Sequence, residues 1–374
     1  MFTVNQAVVH ALIKEQHKPI QPSVIQTELL DPEDEKVVKL VTGVVNIYGS
    51  RNNNAHYGVF RKYGDGRGQF PVNVDGYIAS STITSSDFLD LTKVAMDELY
   101  SKAENNSASS GGYMLFADYQ NEAGRFLLAA MIKQKEGLTL NKKLKLELFM
   151  QLDLTRLHQA ARINFSKYKD YLDANSEERA ELVYLSFISP KVGIKASGYF
   201  VTALGCIAGA TAATATSNLI KASGQFFRDH SKLGSSDRYQ FRQDLLGYIK
   251  SKSTLGQFVK LTEVESIARK YIPSSEPLLQ DEICNELISH LNNEENQVPS
   301  EFLASEKTLN RFTQINYKSD NWQFKFQINS LGNDETAEIF YDKETNKLII
   351  REVPLELRSQ IEEELDIQAS NKES

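Results

Sequence analysis

The sequence predicts an α+β fold: an N-terminal mixed α/β domain with an antiparallel sheet, a central helical and basic segment, and a C-terminal β-hairpin followed by a helix. Three observations carry this. Through residue 190, apolar positions recur at helical steps of three and four in some segments and in short strand-like runs in others. After Pro190 the strand-like runs stop, and the chain becomes helical, basic and rich in small residues. From about Phe302 aromatic strands return. The expected parts are 1–190, 191–300 and 301–374, in keeping with the two to three domains that 374 residues accommodate at ~150 residues each.

Asp31 followed by Pro32, with Glu33, Asp34 and Glu35 at the positive end of the helix dipole, marks a helix start. Val37, Val41, Val44 and Tyr48 then share one face, and Gly49-Ser50 with the asparagines at 52–54 supplies the stop. Residues 57–60 read as a strand, 88–100 as a second amphipathic helix, and 104–110 as a loop. The runs 112–118 and 125–132 form an antiparallel pair expected at the centre of a sheet. Further strands are expected at 144–152, 161–165 and 183–188. Beyond Pro190, residues 237–250 form a helix with Phe241, Leu245, Tyr248 and Ile249 on one stripe and Ser236 or Asp237 as its cap. Helices follow at 263–271 and 277–292. Residues 322–328 alternate as a strand, 338–341 pairs with 347–351 across the turn 342–346, and Pro354 opens a terminal helix carrying Leu357, Ile361 and Leu365. The tail from Ala369 is expected to fray.

Composition excludes several classes. With 41% hydrophobic, 24% charged and 10% aromatic residues, the chain is neither compositionally disordered nor fibrous. Forty-nine acids against 42 Lys and Arg give a net charge of -7, so any nucleic-acid site must be local. Cys206 and Cys284 cannot build a disulfide framework, and the opening MFTVNQAVVHALIKEQ lacks the pattern of a signal peptide, which points to a reducing cytoplasm. Residues 196–220 carry no charge over 25 positions, the length of a membrane span. Seven alanines, three glycines, four threonines and two serines leave too few large apolar groups for insertion. A buried helix around 199–204, a small-residue loop and a second helix are expected instead, with no membrane partner.

Catalytic patterns are thin. His10, His17, His56, His158, His230 and His290 show no metal-binding spacing, and neither cysteine has a second thiol nearby. Asp34-Glu-Lys36 offers carboxylates and a cation of the kind a metal-dependent nuclease uses, but a helix start already employs them structurally. The segment Gly64-Asp-Gly-Arg-Gly68 does not match a phosphate-binding loop and reads as a flexible turn, with Arg67 an exposed, unpartnered side chain. No catalytic residue, no metal ligand and no cofactor is expected.

Charge is distributed unevenly. Residues 191–260 contain ten basic and three acidic side chains, a net of +7, whereas 276–374 contain 21 acids and nine bases, a net of -12. Such a basic segment either tracks phosphates or docks against the acidic part of its own chain. The candidate DNA-binding residues are Lys191, Lys195, Lys221, Arg228, Lys232, Arg238, Arg242 and Lys250. Arg238 and Arg242, one turn apart, are expected to flank the apolar stripe of their helix and to reach successive phosphates.

Taken together, VNQAVVHALIK, ELLDPEDEKVVKLV with NIYGSRNNNAHYGVF, GGYMLFADY, QLDLTRLHQAARINFSKY, YLSFISPKVGIKASGYFVTALGC and IFYDKETNKLIIREVPLELRSQI resemble the bacterial nucleoid-associated protein family NdpA (YejK-type). The resemblance implies a cytoplasmic, nucleoid-located protein that binds double-stranded DNA with little sequence preference and contacts type II topoisomerase subunits. A homodimer is a further expectation. KVGIKASGYFVTALG opens the basic segment, which favours Lys191 and Lys195 as phosphate ligands. The main expectation is a non-enzymatic DNA-binding protein. An interaction adaptor that recruits a DNA-processing enzyme is the alternative, and a metal-dependent nuclease the third reading. A salt titration of DNA binding separates the first two, and incubation of DNA with magnesium or manganese tests the third.

Overall fold

The computed structural model describes residues 2–51, 53–62, 67–80, 82–188, 199–209, 211–273, 276–332, 334 and 336–372. The chain divides into two compact units, Met1–Ser305 and Glu306–Ser374.

The first unit opens with β1 (Thr3–Leu12), α1 (Glu35–Ile47), β2 (His56–Phe60), α2 (Gln69–Ala79) and α3 (Ser85–Glu104). Strands β3 (Gly112–Asn121), β4 (Gly124–Ile132), β5 (Gln134–Leu140), β6 (Leu146–Leu152) and β7 (Gln159–Asn164) follow, then α4 (Phe165–Asp173), α5 (Ser176–Glu181) and β8 (Leu185–Ile188). Helix α6 (Tyr199–Ala203), β9 (Cys206–Ala208), α7 (Ala212–Asp229), α8 (Ser235–Thr254), β10 (Phe258–Lys260), α9 (Leu261–Ala268), α10 (Pro277–Leu291) and β11 (Glu301–Leu303) complete it.

Among the described residues, seven strands form one sheet in the order β1-β3-β4-β7-β8-β2-β9, antiparallel at every pairing. The pair read from the sequence as central, β3 and β4, lies inside this sheet. Strand β4 is buried on both faces: Leu127, Ala129 and Met131 join the core under α2, α3 and α6, while Phe126, Leu128, Ala130 and Ile132 join the core under α1. A strand covered on both sides has no solvent face, so its sequence reads as a continuous apolar run. Helix α1 buries Val37, Val41 and Val44, and Tyr48 at its C-cap is buried with them.

Several local expectations are corrected. Asp34, not Asp31, is the N-cap of α1, accepting from the Lys36 amide at 2.8 Å, while Asp31 accepts the Glu33 amide in the turn before it. Residues 63–66 lie outside the described residues, but Gly68, at φ 77°, is the N-cap of α2, so the segment read as a flexible turn ends in a helix cap. Gly234, not Ser236 or Asp237, caps α8. The loop expected between two helices near 205 contains β9, which pairs with β2. Gly205 precedes it at φ 67°, where a Cβ would meet the Arg67 carbonyl oxygen at 2.3 Å. No helix among the described residues is long and apolar enough to cross a membrane.

Helices α7 to α10 pack on one another, and Asn292, just after α10, ties this cluster to the sheet. Asn292 is buried; its Oδ1 accepts the Ala55 amide at 2.7 Å, and its Nδ2 donates to the Ala55 carbonyl at 2.9 Å and the Val298 carbonyl at 2.7 Å. The Tyr57 hydroxyl donates to the Asn292 carbonyl at 2.9 Å, and the Ser300 amide to the Ala55 carbonyl at 3.1 Å. An asparagine side chain here replaces a strand partner, satisfying backbone groups that would be costly to bury unpaired.

The second unit contains α11 (Glu306–Thr313), β12 (Gln314–Lys318), β13 (Gln323–Gln327), β14 (Leu331–Gly332), β15 (Ile339–Asp342), β16 (Lys347–Ile350) and α12 (Leu355–Lys372). The β12–β13 and β15–β16 pairs are antiparallel, and Asn346 takes the left-handed conformation, φ 54°, in the turn between the latter two. Tyr317, Trp322, Phe324 and Phe326 line one apolar groove with Tyr341 and Leu348. Helix α12 continues to Lys372, past the point where fraying was expected.

Candidate nucleic-acid interface

Helix α7 begins at the Thr211 cap, whose side chain accepts the Thr214 amide. Its alanine, threonine and serine content permits close packing: Ala215, Thr216, Leu219, Ala222, Ser223 and Phe227 are among its buried residues. What remains outward along its second half is a narrow stripe of exposed Lys221, Gln225 and Arg228, at the i, i+4, i+7 spacing of one helix face, with the exposed acid Asp229 at its C-terminal end. The link 230–234 presents Lys232, also exposed, and leads into α8. Phe227 and Phe241 stack with ring centroids 4.1 Å apart and 7° between planes, which fixes α7 against α8. Helix α8 buries Phe241, Leu245, Leu246 and Ile249 and leaves Lys250 exposed.

Lys221, Arg228, Lys232 and Lys250 form no salt bridge with any described residue. Two nearby cations, Lys252 and Arg269, are occupied. Lys252 pairs with Glu263 at 2.9 Å and lies over the Tyr248 ring at 5.5 Å, and Arg269 pairs with Asp281 at 2.6 Å and Glu265 at 3.2 Å. Asp244, one of the segment's few acids, accepts from the Tyr271 hydroxyl and lies 3.6 Å from Lys270. Three acids of α10 and the turn after it are used elsewhere, Asp281 on Arg269 and Arg51, Glu286 on His230 and Glu294 on Arg162 and Lys167, while Glu282 and Glu295 stand exposed.

Two of the predicted residues, Lys191 and Lys195, lie outside the described residues. Arg238 and Arg242 are half-buried, and their placement corrects the expectation that they flank the apolar stripe. At about 100° per residue both project between Phe241 and Leu246, inside the buried sector, because that sector is wider than the stripe predicted from the sequence. Arg242 also has interaction partners in the fold.

Arg67 is another correction. Its guanidinium donates to Asp75 at 2.7 Å and to the Arg61 carbonyl at 3.3 Å, and lies 5.7 Å from the centre of the Phe60 ring. It is a partnered, largely buried strut and not a free loop cation. Displaced pKa values likewise belong to the frame. Burial pulls His10 and His56 down to about 4 and pushes the Cys206 thiol up to about 12. Among the described residues, no group of three or more His, Cys, Asp or Glu is arranged to hold a metal ion.

A family model described as nucleoid-associated protein YejK matches residues 8–358. The chain belongs to this family. Among YejK-family relatives it is 27% identical over 334 residues to a nucleoid-associated protein of Azotobacter vinelandii, covering 89% of this chain and 90% of the relative. It is 28% identical over 332 residues to one of Pseudomonas entomophila, with 89% and 90% covered. It is 30% identical over 294 residues to one of Pseudomonas savastanoi, with 79% and 81% covered.

Proposed function

We propose that this YejK-family chain binds double-stranded DNA with little sequence preference, through the exposed cations of α7, the 230–234 link and α8, and catalyses no reaction. The observation that carries the reading is that Lys221, Arg228, Lys232 and Lys250 stand exposed with no carboxylate partner among the described residues, while nearby Lys252 and Arg269 are paired with acids. Unpaired lysine and arginine release condensed counterions from a duplex on contact, which favours binding to any sequence. Lys191 and Lys195 extend the proposed set by sequence position. Arg238 and Arg242 act in this reading mainly by holding α8 in place. A nucleoid location in a bacterial cytoplasm follows from the same reading and from the names of the relatives. Contact with type II topoisomerase subunits rests on the family resemblance alone. The test is a duplex-binding isotherm measured over a range of salt, with and without charge reversal at Lys221, Arg228 and Lys250, alongside incubation of supercoiled DNA with magnesium or manganese. Binding unaffected by the reversals overturns the surface, and metal-dependent cleavage overturns the absence of chemistry.

A further inference from the structure

Strands β5 and β6 pair with each other from Gln134↔Leu152 to Leu140↔Leu146 and join no other strand among the described residues. The register sorts their side chains. One face carries Leu138, Leu140, Leu146, Leu148, Met150 and Leu152, between 37% and 69% exposed. The opposite face is also exposed but mostly polar and internally braced: the Phe149 ring, itself 40% exposed, covers Gly137, where a Cβ would lie 2.8 Å from it, and Lys135 pairs with Asp153 at the base. The turn is also well defined, with Asn141 Oδ1 accepting the Lys143 and Lys145 amides and Leu144 at φ 57°. The arm is therefore built to stand, yet one whole face is bare. A two-stranded hairpin in water is marginal without a covering layer, and a contiguous apolar patch of this kind marks an interaction surface.

We propose that this face is a homodimer interface, covered by the same hairpin face of a second copy related by a twofold axis. Two features select a second copy. The first is polarity along the arm: Glu136 stands near the base beside Met150, the leucines occupy the middle, and Lys142, Lys143 and Lys145 crowd the tip. A twofold axis through the middle reverses one arm, so each Glu136 meets the other copy's lysine tip and the leucines meet their own equivalents. The second is area. The six side chains expose roughly 600 Å² per copy, so pairing two arms buries about 1,200 Å², the lower bound of a specific, stable interface.

The test is the mass of the full chain in solution, by sedimentation velocity over a concentration series. The wild type is expected at twice the chain mass. Leu138→Lys with Leu148→Lys, opposite one another on the bare face, is expected to raise the dissociation constant at least about 30-fold, the loss of one interface hot spot, with the circular dichroism spectrum unchanged. Thr139→Lys, on the braced face, is expected to leave the dimer intact. Glu136→Lys is expected to weaken the dimer and, combined with Lys142→Glu and Lys143→Glu, to restore it. This rescue keeps the proposal testable even if the leucine variant misfolds. A monomeric wild type at tens of micromolar, a dimer indifferent to both leucine substitutions, or failure of the charge exchange to restore association overturns it.

Discussion

Arg162 and Glu294 are 132 positions apart in the chain and 2.5 Å apart in the fold. Arg162 stands on β7 with its guanidinium carbon 4.3 Å from the Tyr48 ring centre and 5.1 Å from that of Phe126. Burial opposes its charge, but Glu294 and the surrounding tyrosines more than compensate and hold its pKa above the ordinary arginine value. Glu294 also accepts from Lys167 through its backbone carbonyl, so one loop after α10 fixes a cation of β7 and one of α4.

Glu294→Gln is expected to destabilise the protein by about 3–5 kcal/mol, because it leaves a buried guanidinium without its counter-charge. Replacing both partners by leucine should cost less than the sum of the single changes. Urea denaturation of the four species of a double-mutant cycle measures the coupling. A loss under ~1 kcal/mol for Glu294→Gln shows that the pair is not coupled.

For DNA, four unpaired cations predict a slope of roughly -3.6 in log affinity against log salt, with each removed cation reducing it by about 0.9. The triple variant Lys221→Glu, Arg228→Glu, Lys250→Glu should weaken binding to all duplexes alike and leave the melting temperature within about 1–2 °C of wild type, since these side chains are exposed. Arg238→Glu should behave differently. Being half-buried beside Leu245, it is expected to lower the melting temperature first, and fluorescence anisotropy together with thermal unfolding distinguishes the two patterns.

Acid should weaken the fold above the carboxylate range. His10, bonded to Thr92 with its Nδ1 accepting the Gln26 amide, and His56, beside Ser300, are both depressed to about 4 by burial. The unfolded chain titrates them near 6.5, so below that pH it binds more protons than the native state. Stability is then full above ~6.5 and falls as pH drops towards about 4. Urea midpoints from pH 7.5 to 4.5 check this, and His10→Gln should flatten the profile. A profile of unchanged slope in that variant removes His10 from the account.

Thiol chemistry offers a fourth check. Cys206 is fully enclosed beside β2, and Cys284 is buried in α10 with its pKa raised by burial. Labelling by a disulfide reagent at pH 8 is expected to proceed only at the rate at which the first unit opens, and to accelerate in step with urea. Rapid stoichiometric labelling of the native protein would contradict this enclosure.

What the sequence made visible follows the strength of local signals. Helix α1 was legible because acids, a cap and a single apolar face all coincide within 18 residues of Asp31. Strand β1 was not read, because a register shift between Val4 and Gln6 breaks the alternation that would announce it. Helix α2 starts on a glycine cap and holds Pro71 and Gly76, so its residues carry no helix signal of their own. The basic segment was legible as a charge count. Which of its cations stay unpaired was not, since that depends on where distant acids such as Glu263 and Asp281 find partners. Arg67 was misread for the same reason: its partners Asp75 and Tyr168 are eight and 101 positions away.

The Asn292 tie gives the order of synthesis a physical meaning. Ala55 and Asn292 are separated by 237 positions, and translation at roughly 5–20 residues per second places about 10–50 s between their emergence. Throughout that interval the nascent β2 has neither its asparagine partner nor the loop that neutralises Arg162. All seven strands of the sheet have emerged by Ala208, so the sheet can pair while the helices behind it are still being made. The Ala55 amide and carbonyl wait longest, and a ribosome stalled before codon 292 holds a paired sheet with these two backbone groups still without their asparagine.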